Sequence, residues 1–165
     1  MPEFDVIELG ASPHPEQGAE APDFTRPLVT NDYWTDRSLS ELLVDGPVLL
    51  VFYPMNWGGK SIYLWNELSD RGWGDEVQVV GVSIGTPFDH GRFIEARGMD
   101  YPLFSDPANG VAEQFGIAHD LDGMAGIEEP RPAVFLIDSD GRIEYAWVAE
   151  EWPETPPYEE IENAL

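Results

Sequence analysis

Two apolar runs constrain this chain more than anything else in it: "PVLLVFY" (47–53), which is continuous, and "VQVVGVSI" (77–84), which is largely so. A run without polar alternation has no face to give to water, so each reads as a strand buried on both sides. Between them, 61–71 ("SIYLWNELSDR") spaces its apolar residues as a helix does. A buried strand, a helix and a second buried strand predict a parallel pair with the helix as crossover. A sheet covered on both faces then has to draw helices from the rest of the chain.

Those helices are legible. "SLSELLVDG" (38–46) predicts a short amphipathic helix with a serine cap and a closing glycine. "PFDHGRFIEARG" (87–98) predicts a helix stopped by Gly98, "PLFSD" (102–106) a short strand, and "NGVAEQFGI" (109–117) a helix ended by Gly116. "APDFTRPLV" (21–29) reads as a first strand or turn, and 118–130 as a Gly-, Asp- and Glu-rich loop. "AVFLIDSDGRIEYAWV" (133–148) predicts a hairpin whose turn holds Asp138, Asp140 and Gly141. "PYEEIENAL" (157–165) closes the chain as a helix. The expectation is one α/β domain over 21–165, preceded by an extended Pro- and Gly-rich arm over 1–20.

Composition narrows the partners. The 165 residues carry 32 acidic and 8 basic side chains, a net charge of −24, and the sole lysine is Lys60. Nucleic acid and anionic membranes need basic patches, so neither is an expected partner. The acids are spread along the chain, which suits a surface screened to about 3 Å at molar salt and points to a halophilic host. No apolar run approaches the roughly 20 residues that span a bilayer, and "MPEFDVIELG" lacks the features of a signal peptide. A cytoplasmic protein is expected. Cysteine is absent, which removes disulfides, thiolate metal sites and cysteine nucleophiles together. His14, His90 and His119 are scattered among acids and read as solvated surface, so no metal site or cofactor is predicted.

The loop after the first run, "PMNWGGKS" (54–61), ends in Gly59-Lys60-Ser61, the last letters of a phosphate-binding loop. Nucleotide binding there is one reading. Its weakness is Pro54, which stands where the first glycine belongs and offers no amide hydrogen. Met55 and Trp57 add bulk where such a loop must approach phosphate.

A different resemblance covers far more of the chain. "APDF" (21–24), "SLSELL" (38–43), "PVLLVFYP" (47–54), "VVGVSI" (79–84), "YPLFSDPANGVAEQFGI" (101–117) and "VFLIDSDGRIEY" (134–145) stand in the order and spacing of a peroxiredoxin of the alkyl hydroperoxide reductase/thiol-specific antioxidant family. The resemblance implies a thioredoxin-like, three-layer α/β/α fold around a mixed sheet. It also implies an active-site loop Pro-x-x-x-Thr-x-x-Cys. Pro54 matches the proline, Gly58 stands at the threonine position, and Ser61 stands at that of the peroxide-reactive cysteine. The thioredoxin motif Trp-Cys-x-x-Cys gives the same register, with Trp57 matching and Gly58 and Ser61 at the cysteine positions.

Chemically the change is large. A serine hydroxyl stays protonated at neutral pH, has no histidine in its loop to act as base, and cannot become a sulfenic acid or disulfide. Ser61 is expected to cap the following helix instead. The family's arginine falls at Pro132, with Arg131 beside it, and the thioredoxin-type pattern predicts a cis Arg131–Pro132 bond with Arg131 turned from Ser61. The expectation is a family member without thiol chemistry, serving as a binding or interaction module. An antioxidant oxidoreductase in which Ser61 is a cysteine-to-serine replacement is the alternative. A homodimer is implied by resemblance alone, and Lys60 beside Ser61 could hold a small anion. Trp57, Trp65 and Trp73 read as core.

Overall fold

The computed structural model describes residues 6–165. In chain order the elements are β1 (Ile7–Glu8), β2 (Thr25–Val29), β3 (Trp34–Ser38), α1 (Leu39–Leu43), β4 (Val48–Phe52) and α2 (Gly59–Arg71). After a short turn of 3-10 helix come β5 (Gln78–Ser83), α3 (Pro87–Arg97), β6 (Leu103–Ser105) and α4 (Gly110–Gln114). β7 (Ala118–His119), β8 (Glu129–Pro130), β9 (Ala133–Ile137), β10 (Ile143–Val148), β11 (Glu151–Trp152) and α5 (Tyr158–Ala164) complete the chain.

Seven strands form one mixed sheet in the order β10-β9-β4-β5-β6-β2-β3. The two apolar runs become β4 and β5, which pair in parallel. β6 continues the parallel set, and β9 joins β4 from the other side in antiparallel fashion. Side chains alternate faces along each strand. Leu50 and Phe52 therefore meet Leu39, Val111 and Phe115 of the α1 and α4 region. Leu49 and Val51 meet Leu64, Trp65, Phe93 and Ile161 from α2, α3 and α5. The result is the expected three-layer α/β/α arrangement of a thioredoxin-like fold.

α2 lies hard against the sheet, and one contact fixes how hard. A methyl group on Gly81 of β5 would come within 2.6 Å of the Trp65 ring and 2.5 Å of Leu103, so only glycine fits there. Trp65 and Trp73 are core, as their spacing suggested. At the other end of α2, Arg71 pairs with Glu67 and with Glu162 of α5 at 3.0 Å each, and Trp73 Nε1 donates to Glu162 at 2.8 Å.

The sheet's outer strand β3 has no counterpart in the sequence reading. "WTDRS" carries no apolar alternation, yet it pairs with β2 along its whole length. β1 pairs with β11, Gly18 N–H donates to Ile143 O, and Ala21 N–H donates to Gly141 O. Residues 7–9 thus lie along β11 and the residue before it, and residues 18–21 along the β9–β10 hairpin.

Candidate functional site

β4 delivers Tyr53 into the core, and the chain turns through 54–58 before α2 begins at Gly59. Helix α2 starts two residues earlier than its apolar spacing indicated. Gly58, in extended conformation, is the N-cap residue and provides no side-chain cap. Ser61 is therefore the third residue of the helix, not its cap, and that expectation is corrected. The turn closes early because Trp57 takes a positive φ of 70°. That conformation is costly for a bulky residue and needs support from elsewhere.

The support comes from α3. Trp57 Nε1 donates to Asp89 Oδ1 at 3.1 Å, and its ring meets Phe93 edge-on at 5.1 Å. Trp57 is still 48% exposed, so it is not a core residue as expected. Beside it, Asn56 Nδ2 donates both to Asp89 Oδ2 at 2.7 Å and to His90 Nδ1 at 2.8 Å. Tyr53 donates its phenol proton to Asn56 Oδ1 at 2.7 Å.

His90 overturns the expectation of a solvated histidine, being 0% exposed. Its Nε2 lies 3.0 Å from the carbonyl of Phe104, which can only accept, so Nε2 carries the proton and Nδ1 accepts from Asn56. Burial pushes its pKa down to about 4, which keeps the ring neutral. Sequence spacing held the signal: His90, Phe93 and Ile94 share the buried face of α3.

Pro54, Ser61 and Pro132 line a single cavity of about 30 Å³ at the start of α2, with Trp152 and Tyr158 on its far side. Such a space admits one water-sized group. Ser61 is 4% exposed, and its hydroxyl has no hydrogen-bond partner among the described residues. Gly58, just before α2, has an ordinary negative φ, and a Cβ there would meet nothing within 4 Å. Space is therefore not what excludes a larger side chain at that position.

Arg131 is not part of this cavity. Its Nη2 donates to Leu9 O at 2.9 Å and its Nη1 to Gly10 O at 2.7 Å and Ala149 O at 3.4 Å. The expected cis Arg131–Pro132 bond is not found; the cis bond among the described residues is Trp152–Pro153. Arg131 N–H donates to Ile117 O, and Pro132 O accepts from Ala149 N–H. The segment is thereby held extended from β8 into β9, which a trans bond satisfies.

The nucleotide reading loses its footing in the same loop. Pro54 is buried, and the side chains of Asn56 and Trp57 fill the turn toward α3. Among the described residues no group of three or more acidic or histidine side chains could hold a metal ion. None of their helices is long and apolar enough to cross a membrane.

Residues 17–146 match the profile of the AhpC/TSA family. The chain belongs to the AhpC/TSA family. A Mycobacterium tuberculosis protein named as a peroxiredoxin is 36% identical over 129 residues, covering 76% of this chain and 80% of that protein. The crystal structure of peroxidoxin BcpB from the same organism superposes with a TM-score of 0.70 at 32% identity, over 83% of this chain and 88% of that one. A cysteine-to-serine mutant of Xylella fastidiosa PrxQ shares the fold, with a TM-score of 0.72 at 23% identity over 91% and 94% of the two chains.

Proposed function

We propose that this AhpC/TSA protein carries out no thiol peroxidase reaction and uses the pocket at the start of α2 for binding. The observation that carries this reading is Ser61. It stands in the first turn of α2, beside Pro54 and Pro132, where the resemblance sets a peroxide-reactive sulfur. The chain contains no cysteine to take its place.

The surroundings support the same reading. Attack on a peroxide O–O bond needs an anionic nucleophile, and a serine hydroxyl needs a base to become one. His90 is spent on Asn56 and Phe104, and Arg131 on backbone carbonyls near the arm. Neither reaches the hydroxyl. The residue at the threonine position is Gly58, which brings no hydroxyl to orient a peroxide.

The test is peroxide consumption at molar salt with a dithiol or thioredoxin reductant. The expected rate equals that of buffer with reductant alone. Turnover proportional to protein concentration, abolished by Ser61→Ala, would overturn the reading. A homodimer is the assembly proposed from family resemblance, to be checked by sedimentation at the same salt.

A further inference from the structure

Beside the narrow cavity opens a second, of about 650 Å³, shared at its rim through Lys60, Tyr63 and Trp152. Its walls are mostly apolar: Tyr63, which is 57% exposed, with Ile7, Leu121, Trp152 and Pro153. At the boundary of the two sits the only lysine in a chain of net charge −24.

Three polar features at this boundary lack partners among the described residues. Lys60 makes no ion pair, as is also true of Arg92, Arg97, Arg131 and Arg142. The amides of Gly59, Lys60 and Ser61 precede the first helical bond, from Ile62 N–H to Gly58 O, and no side chain caps them. Ser61, a residue only 4% exposed, lines the narrow cavity at the same helix start. A cation, free amides and a hydroxyl thus border the two cavities at the start of α2.

The nearby carboxylates do not fill that role. Asp122 accepts from Trp152 Nε1 at 3.0 Å, and Glu154 accepts from the amides of Glu150 and Glu151 at 2.9 and 3.1 Å. Both are held by other donors.

We propose that this paired cavity binds a small organic monocarboxylate with an apolar body. One carboxylate oxygen enters the narrow cavity toward the Ser61 hydroxyl and the α2 amides, and Lys60 pairs with the other. The apolar body lies between Tyr63 and Trp152 in the wider groove. A single negative charge meets the least repulsion from this surface, which favours a monocarboxylate over phosphate or sulfate. The proposal rests on the reading that Ser61 takes no part in peroxide chemistry.

Isothermal titration at molar salt with hexanoate, acetate and hexanol tests it, with circular dichroism checking the fold of each variant. Hexanoate should bind saturably with one site per chain. Acetate should bind roughly a hundredfold more weakly, through the loss of its methylene groups. Lys60→Met and Tyr63→Ser should each weaken hexanoate about tenfold. The absence of saturable hexanoate binding at millimolar concentration overturns the proposal. So does hexanol matching hexanoate, or Lys60→Met leaving the affinity unchanged. Peroxide turnover, measured on the same samples, separates the two readings. Turnover together with binding sinks only the non-catalytic reading, and neither binding nor turnover sinks only the ligand.

Discussion

The guanidinium of Arg131 donates to the carbonyl of Leu9, 122 residues earlier in the chain, at 2.9 Å. With Gly10 and Ala149 also accepting from it, this buried cation ties the arm to the end of β10 without any carboxylate. Desolvation lowers its pKa, yet an arginine remains charged and so demands those acceptors.

Arg131→Met should therefore cost about 2 kcal/mol of stability, as the carbonyls lose a charged donor. Denaturant unfolding measures this. Hydrogen exchange localises it, since the Leu9 amide, bonded to Glu150 O, should exchange faster. Unchanged Leu9 exchange would show the arm to be held by other contacts.

Ser61→Cys should give a thiol with a pKa below the usual value of about 8.5, through the α2 amides and Lys60. Without an arginine at the cavity, its oxidation by peroxide should be slow. Adding Gly58→Thr, which has open space for its side chain, should raise that rate by about tenfold. Thiol titration and stopped-flow oxidation are the measurements, and an unshifted thiol pKa would contradict the expected electrostatics.

His90 makes the fold sensitive to acid. Its folded pKa of about 4 lies below the unfolded value of about 6.5, so the unfolded chain binds the extra proton first. Stability should fall as pH drops from about 6.5 to 4, by up to about 3 kcal/mol, and be unaffected by this group above 6.5. His90→Gln should flatten that slope in urea unfolding.

Glu129 acts in the opposite direction. It is 0% exposed, with neither carboxylate oxygen hydrogen-bonded. Burial, with Asp122 and Asp120 nearby, raises its pKa to about 8. The folded state then holds the proton longer, so this group's effect on stability is lost progressively from about pH 4.5 to 8. Glu129→Gln should stabilise by about 2 kcal/mol at pH 8 and change little at pH 4.

Among the described residues only four side-chain ion pairs draw on the 32 acids, and Arg71 makes two of them. Most of the negative charge is uncompensated. Raising sodium chloride from about 0.1 to 3 M should lift the Tm by on the order of 10 °C, through screening of self-repulsion. Calorimetry that shows a flat or falling Tm would count against the screening account.

The buried half of the fold was legible because burial leaves a simple mark. β4 is a continuous apolar stretch and β5 a largely apolar one, and Ser38 caps α1 through its hydroxyl, accepting from Glu41 N–H as its type suggests. At the candidate site, the grouping of Pro54, Ser61 and Pro132 was legible, and these three residues line one cavity. Its details were not. The start of α2 depends on Trp57 adopting a conformation its own side chain disfavours, and local preference cannot announce that. Edge strand β3 draws its shape from pairing with β2, which a polar pentapeptide does not reveal. His90 looked wet between Asp89 and Gly91, because its neighbours in the chain are not its neighbours in space.

The positive φ of Trp57 has a mechanical meaning. Because the turn's shape is imposed by Asp89 and Phe93 and not by backbone preference, loop and α3 behave as a coupled pair. A push on the loop that tilts the indole loads the first turn of α3, and a shift of that helix slackens the turn ahead of Ser61.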